Sequence, residues 1–170
     1  MKKTLLALSL LATSSIAFAQ SEDDKGIFIG AAAARTINSD CGSWCDSTGH
    51  AFEAGYYFNK IVGIEVKSSE TENENASEYE TELTYVGANI GHTFNTSWVR
   101  FYGKVGYVKA KDKDTDWNVS ASDSAIAFGV GVTFYPVAHQ QSLYFKIESM
   151  ASELFNDTMG YGQFGMGYQF

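Results

Sequence analysis

The chain has 170 residues, a length that suits one domain of ordinary size and leaves no room for a second. It carries 20 acidic and 12 basic residues, a formal net charge of −8 at pH 7. This excess of acid argues against a nucleic acid as the partner, because the phosphate backbone requires a basic surface.

The first residues predict a secretory signal peptide over 1–19. Two lysines precede an apolar run from Leu5 to Leu11, and Ala17-Phe18-Ala19 supplies the small-x-small pattern of a cleavage site. The run is shorter than the roughly 18 residues that a spanning helix needs, which disfavours the alternative of a membrane anchor. We therefore expect residues 20–170 to form the mature protein, which is more acidic still once the two lysines are removed.

Apolar residues alternate with small or polar ones along the mature chain with a period of two. This pattern indicates β-strands whose two faces meet different surroundings. The longest apolar stretch, from Gly26 to Ala34, suits one strand and is too short for a spanning helix. We predict strands within residues 26–34, 51–58, 62–67, 85–90, 99–107, 126–134, 143–148 and 164–170.

Side-chain size indicates which face of these strands points inward. Large apolar residues share one face, while glycines and isolated charges share the other, as the narrow lumen of a small barrel requires. A soluble sandwich would place the large apolar residues inside instead. The sequence therefore predicts an all-β fold, an eight-stranded antiparallel up-and-down transmembrane barrel. Its lumen would hold a charge network of three acids and three bases: Glu53, Glu65, Lys67, Lys104, Lys146 and Glu148.

Connections between the predicted strands alternate in length. Short turns are expected at Asn59-Lys60, Asn95-Thr96-Ser97 and Pro136 to Gln141, and longer polar loops at Ile37 to Gly49, Glu70 to Glu78, Lys111 to Ser122 and Phe155 to Gly160. Outer-membrane barrels have short periplasmic turns and longer external loops, so both mature termini are expected to be periplasmic. Aromatic residues beside the short turns predict an interfacial girdle of Tyr56, Tyr57, Phe58, Phe94, Trp98, Phe134, Tyr135 and Tyr168.

The first predicted external loop contains two cysteines, Cys41 and Cys45. In a secreted chain with no other cysteine they predict a local disulfide. Redox activity and metal binding are the less favoured alternatives, because the spacing is not that of a redox motif and two thiols lack the companion ligands of a zinc site.

The third predicted external loop, Lys111 to Ser122, is acidic. Asp112, Asp114 and Asp116 alternate as calcium ligands do, but Trp117 replaces the glycine that a calcium loop requires for its turn. These residues are a weak metal candidate, and we expect a solvated acidic surface with no specific metal site.

The last residues carry the most specific family signal. Gly165-Met166-Gly167-Tyr168-Gln169-Phe170 is an amphipathic strand that ends in an aromatic residue. With the signal peptide and the alternating loops, the chain resembles the small eight-stranded outer-membrane β-barrels, the family of OmpX, Ail and the membrane domain of OmpA. The resemblance covers essentially the whole mature chain. It implies that Tyr168 and Phe170 belong to a signal for the barrel-assembly machinery, and because the peptidoglycan-binding domain of OmpA is missing it does not imply tethering to the cell wall.

The resemblance also implies a function class. We expect a non-catalytic, monomeric barrel without cofactor, acting in envelope structure or surface interaction, with outer-membrane lipid and lipopolysaccharide, the barrel-assembly machinery and an unidentified loop ligand as partners. A small channel is the alternative, although eight strands leave an interior that side chains fill. A lipid-modifying enzyme is disfavoured, since lipid A deacylases of similar length use a His-x-Ser pattern that does not occur in this sequence. His139 and Ser142 come closest but fall at a predicted periplasmic turn.

Overall fold

The computed structural model describes residues 25–38, 46–73, 79–94, 98–114, 117, 119–136 and 143–170. The strands are β1 (Gly26–Asn38), β2 (Ser47–Tyr57), β3 (Val62–Asn73), β4 (Tyr79–Thr93), β5 (Val99–Asp114), β6 (Val119–Phe134), β7 (Leu143–Leu154) and β8 (Asp157–Gln169). Within these ranges no helix is long and apolar enough to cross a membrane. The expected signal peptide and both cysteines lie outside the described residues.

The sheet closes into a barrel, which confirms the predicted fold. Each strand pairs antiparallel with the next, and β8 pairs with β1. A path of paired residues that leaves β1 at Phe28 and follows the ladders once around the barrel returns to β1 at Asn38, ten residues further along. This stagger tilts the strands against the barrel axis. We call the end at which β1 begins and β8 finishes the terminal rim, and the opposite end the far rim.

Large apolar side chains cover the outside of the barrel next to the terminal rim. Phe52, Phe128 and Val130 expose 60%, 63% and 67% of their surface, although they are among the most hydrophobic residues of the chain. Their neighbours along the strands point inward, as Glu53 does at 8% exposure. We call this outer surface the apolar belt, because it is the surface that hydrocarbon would cover in a membrane.

Inward side chains form three successive layers, which β7 illustrates from the terminal rim to the far rim. Tyr144 belongs to an aromatic cluster with Phe28, Tyr57 and Tyr135. Lys146 and Glu148 follow at mid-lumen, and Met150 and Leu154 then join an apolar cluster nearer the far rim. The lumen is therefore filled by aromatic, charged and apolar side chains in turn.

The predicted aromatic girdle needs a correction at two positions. Tyr57 and Tyr135 are buried inside the barrel, where Tyr57 stacks on Phe28 with ring centroids 4.6 Å apart. Trp98 and Tyr168 remain exposed on the outside, as the girdle requires. Aromatic residues favour strands on either face, so proximity to a turn does not by itself indicate an outward orientation.

The described parts of the polar segments that the sequence predicts as long external loops are mostly strand. The ladders continue to Glu72 opposite Glu80 and to Asp114 opposite Val119, and β7 joins β8 through Phe155 and Asn156 alone. Beyond the apolar belt both faces of a strand meet polar surroundings, so the hydrophobic alternation disappears while the backbone pairing continues. The alternation of apolar residues in the sequence therefore predicts where the apolar belt ends, but it does not predict where the strands end.

Candidate functional sites in the lumen and at the far rim

The six predicted lumen charges lie together at mid-barrel, with Glu148 at their centre. Glu148 contacts all three lysines: its Oε1 atom lies 2.8 Å from Lys104 Nζ and is ion-paired with Lys67, and its Oε2 atom lies 3.2 Å from Lys146 Nζ. The side chain of Glu148 is 1% exposed. A carboxylate removed from water in this way is stabilised by its cationic partners and not by solvent.

The other two acids of the network share the same lysines. Glu53 is ion-paired with Lys146, and Glu65 with Lys104. Both acids also have a carboxylate oxygen 3.8 Å from the Nζ atom of Lys67. Each lysine therefore bridges at least two carboxylates on different strands, which ties β2, β3, β5 and β7 together across the lumen.

Two tyrosines that the sequence analysis did not single out complete the network. The hydroxyl of Tyr102 donates to Glu148 Oε2 at 3.0 Å, and that of Tyr144 donates to Glu53 Oε1 at 3.0 Å. Inward glycines make room for both rings, because a Cβ at Gly131 would lie 2.3 Å from the ring of Tyr102 and one at Gly167 would lie 2.2 Å from the hydroxyl of Tyr144. The inward glycines among large residues were the available sequence signal for these tyrosines.

Arg100 is a fourth buried cation that the predicted set of charges omitted. Its guanidinium donates to Asn89 Oδ1 and to the backbone oxygen of Ile61, both at 3.1 Å, and lies 4.7 Å from the centre of the Tyr57 ring. Its partners are backbone carbonyls of the β2–β3 turn, the amide oxygen of Asn89 and an aromatic ring, and none of them is a carboxylate. Arg100 alternates with Val99 and Phe101 in the sequence, which is consistent with an inward position, but these uncharged partners could not be identified from the pattern of charges.

At the far rim, β6 has a strand partner on one side only along part of its length. It pairs with β5 throughout, but its ladder with β7 begins at Ala127. In the described part of the chain, residues 119–126 therefore have no ladder partner on the β7 side. We call this segment the β6 edge.

The direction of the backbone groups along the β6 edge follows from the register. Tyr135 N–H donates to Trp98 O at 2.7 Å, so the backbone groups of this odd-numbered residue point to β5. In an antiparallel ladder the backbone groups of successive residues point to opposite sides. The odd-numbered residues of β6 therefore direct their N–H and C=O groups to β5, and the even-numbered residues direct theirs to the opposite side. Ser124 N–H is taken up by its neighbour, the Asp123 carboxylate, at 2.7 Å. The N–H groups of Ser120 and Ser122 therefore point to the side without a ladder partner.

Asp123 also connects the β6 edge to the β7–β8 turn. Its Oδ2 atom accepts the N–H of Phe155 at 2.6 Å. Phe155 and Asn156 have φ values of 54° and 63°, as a two-residue hairpin turn with two left-handed residues requires. These N–H groups, that of Phe155 first and that of Ser124 second, lower the pKa of Asp123, which lies beyond the apolar belt.

The weak calcium candidate lies partly in a strand and partly outside the described residues. Asp112 and Asp114 lie in β5 opposite Ala121 and Val119, and Asp116 lies outside the described residues. The Oδ1 atom of Asp112 accepts a hydrogen bond from Thr81 at 2.7 Å. Ladder pairing holds the backbone of this segment extended, whereas a calcium loop has to fold around the ion.

The predicted assembly residues lie on the outside of the barrel at the terminal rim. Tyr168 and Phe170 are 46% and 69% exposed, and their ring centroids are 4.9 Å apart. Phe170 N–H donates to Ile27 O at 2.8 Å, so the last residue extends the β1–β8 ladder that closes the sheet. Their role in assembly stays a prediction.

Comparison with known proteins identifies the family. The model of the outer membrane protein beta-barrel domain matches residues 4–170, and the chain belongs to this family of outer-membrane β-barrels. Ail, the attachment invasion locus protein of Yersinia pestis, has a similar structure with a TM-score of 0.60 and 23% identity over 88% of this chain and 100% of that one. OprG of Pseudomonas aeruginosa has a TM-score of 0.63 and 11% identity over 86% of this chain and 97% of that one. A search of curated protein sequences gave no match.

Proposed function

We propose that this protein is a non-catalytic surface-interaction barrel of the outer membrane, with a closed lumen, both mature termini in the periplasm and the far rim outside the cell. The β6 edge is the observation that carries the proposal. Ser120 and Ser122 present backbone donors on a segment that projects past the β7–β8 turn. A row of this kind accepts an extended peptide as an additional strand, a common mode of protein recognition.

The composition of the β6 edge supports a binding role in preference to a blocked edge. Natural sheets protect exposed edges with prolines, lysines or bulges. The β6 edge, Val-Ser-Ala-Ser-Asp-Ser-Ala-Ile, carries neither proline nor lysine, and its register with β5 runs without interruption. Asp123 occupies one donor, that of Ser124, and so limits the length of peptide that can pair.

Selection of displayed peptides on the purified barrel in nanodiscs tests this role. Ser122→Pro removes a donor of the β6 edge and leaves the hydrogen bonds to β5 intact, since Ser122 is even-numbered. Ser122→Ala is the matched control, because it removes the hydroxyl and keeps the donor. We expect peptides selected on the wild type to lose at least 10-fold in retention on Ser122→Pro and to keep their retention on Ser122→Ala. Equal retention on all three proteins would remove the β6 edge from the proposal.

The filled lumen supports a closed barrel rather than the small-channel alternative. At mid-barrel the carboxylates of Glu53, Glu65 and Glu148 are all ion-paired, and the aromatic and apolar clusters lie on either side of them. The same pairing supports a non-catalytic role, because a general acid or base needs access to a substrate proton.

A further inference from the structure

The register of the β6 edge determines which of its side chains would lie closest to an added strand. Ser120 and Ser122 direct their backbone groups away from β5, so an antiparallel peptide on this side forms hydrogen-bonded pairs with them. Val119, Ala121 and Asp123 are the intervening positions. Residues at such non-hydrogen-bonded positions have the shorter Cα separation, about 4.5 Å, and the closer side chains. The odd-numbered residues of the edge therefore have the greatest influence on which peptide binds.

The β7–β8 turn determines where such a peptide has to stop. Phe155 N–H donates to Asp123 Oδ2 at 2.6 Å, so the turn lies against β6 at the level of Asp123. A strand that follows the edge meets the turn at this level. The positions opposite Val119 and Ala121 remain open to its side chains, whereas the turn occupies the space beside Asp123.

The face of the edge that continues the lumen wall is acidic around Ala121. Asp123 is two residues along β6 from Ala121 and so shares its face, and Asp112 lies opposite Ala121 on β5. Their hydrogen-bond donors are uncharged: Thr81 Oγ1 donates to Asp112, and two backbone N–H groups donate to Asp123. In the described part of the chain neither carboxylate has a cation within ion-pairing distance. Two uncompensated negative charges therefore flank the position opposite Ala121.

The opposite face of the edge carries no such excess of charge. Lys111 lies opposite Ser122 on β6 and opposite Glu82 on β4, and Lys113 lies opposite Glu80. Lys113 is also ion-paired with Glu82. The lysines of this face are therefore balanced by acids of the barrel itself, and serine side chains lie nearest to an added strand. We expect selection for charge on the inward face alone.

The end of the β5–β6 hairpin adds an apolar surface. Val119 exposes 63% of its surface although it lies beyond the apolar belt, and Trp117, at the turn, exposes 80%. Val119 shares the inward face with Ala121, which is two residues away. An apolar side chain opposite Val119 would remove its own surface and that of Val119 from water, which favours binding.

We propose that the β6 edge selects an extended antiparallel peptide with a basic residue opposite Ala121 and an apolar residue opposite Val119. The inference rests on the proposed function and names the partner of the same edge. The small side chain of Ala121 leaves room for a lysine or arginine, which reaches Asp123 along the diagonal and Asp112 across the strand. In an antiparallel pair the apolar residue lies two positions after the basic one, because the numbers of β6 fall as those of the peptide rise. A second copy of this chain fits less well, since the β6 edge itself contains no basic residue.

Selection of displayed peptides of defined composition on the purified barrel in nanodiscs tests this partner. Each library member carries one arginine and one valine in a host of threonines, at every pair of positions in turn, so all members have the same composition and charge. We expect the wild type to retain members with valine two positions after arginine about 5-fold better than members in which the two residues are adjacent. Adjacent residues point to opposite faces of a strand, so this comparison isolates the inward face.

Three variants assign the preference to particular side chains. Asp123→Asn removes the nearer charge and should reduce the preference from about 5-fold to about 2-fold, because Asp112 remains. Val119→Thr keeps the β-branched shape and should abolish the dependence on the position of the valine. Glu153→Gln is the matched control for charge, since Glu153 is an exposed acid of β7 at the same rim, and it should leave the preference unchanged.

Equal retention of all library members by the wild type would overturn the proposed partner. So would a preference for valine before arginine, which indicates parallel pairing, or an equal loss in Glu153→Gln, which indicates a response to net charge alone. Wild-type dimers that Ser122→Pro dissociates would assign the edge to a second copy instead. The proposed function fails separately, if the wild type and Ser122→Pro retain peptides equally whatever their sequence.

Discussion

Replacing Glu148 by Gln perturbs the centre of the lumen network while preserving the volume of the side chain. Glu148 is ion-paired with Lys67, Lys104 and Lys146. It also accepts a hydrogen bond from the hydroxyl of Tyr102. In Glu148→Gln, three lysines would face two carboxylates, and one face of the new amide would present hydrogens to cations. The substitution therefore removes attraction and adds repulsion in a part of the lumen that solvent does not reach.

Because Glu148 is buried, we expect this substitution to destabilise the barrel by more than the loss of an exposed ion pair would. An exposed ion pair contributes about 0–1 kcal/mol, whereas removal of one partner from a buried pair costs roughly 3–5 kcal/mol. Both Glu148 and Lys104 have side chains that are at most 1% exposed, so little water is available to screen the loss. We expect Glu148→Gln to lower the free energy of unfolding by about 3 kcal/mol, because Gln still accepts one hydrogen bond.

Urea unfolding of the barrel in phospholipid vesicles measures this loss. Glu153→Gln is the control, since Glu153 lies on the same strand but is exposed, and we expect it to change stability by less than about 0.5 kcal/mol. Adding Lys67→Met to Glu148→Gln restores the balance of charge, so the double variant should lose less than the sum of its single variants. Equal stability of Glu148→Gln and Glu153→Gln would refute the role assigned to the network.

Three further predictions concern the two rims. The lowered pKa of Asp123 implies that its hydrogen bond to Phe155 N–H stabilises the turn above the unfolded pKa of about 3.9 and is lost as pH falls through the lower folded value. The protection factor of the Phe155 amide, its exchange rate compared with the intrinsic rate at the same pH, should therefore fall in acid in the wild type but not in Asp123→Asn. Deletion of Phe170 should reduce insertion into outer-membrane fractions, and unchanged insertion would remove its role in assembly. Protease added to intact cells should cleave near Trp117, which is 80% exposed, and spare Lys60, whereas the reverse pattern would invert the proposed orientation.

The sequence predicted the barrel and its lumen charges because one physical contrast determines both. Hydrocarbon outside and a crowded lumen inside place opposite demands on alternate residues, so Phe52 and Glu53 could be assigned to their faces from parity and size alone. That contrast ends with the apolar belt. For this reason Glu72 and Asp114 were expected in loops, whereas backbone pairing extends the strands through both.

The remaining features depend on distances across the sheet that no local pattern encodes. Arg100 is satisfied by the backbone of the β2–β3 turn, and the β6 edge exists because the β6–β7 ladder begins at Ala127. Tyr57 and Tyr135 are buried in the lumen near the terminal rim, because the barrel brings their strands to the same level beside Phe28 and Tyr144. These features follow from the ten-residue stagger of the barrel. The stagger can be determined only from the registers of all eight ladders together.

Single-channel recording of the purified wild-type barrel in planar lipid bilayers tests the closed lumen most directly. The aromatic, charged and apolar layers fill the interior, so we expect no steady conductance in symmetric salt. Glu148→Gln measured in parallel should show brief openings if the network holds the lumen shut. Steady porin-like conductance through the wild type would contradict a closed lumen and favour the channel alternative.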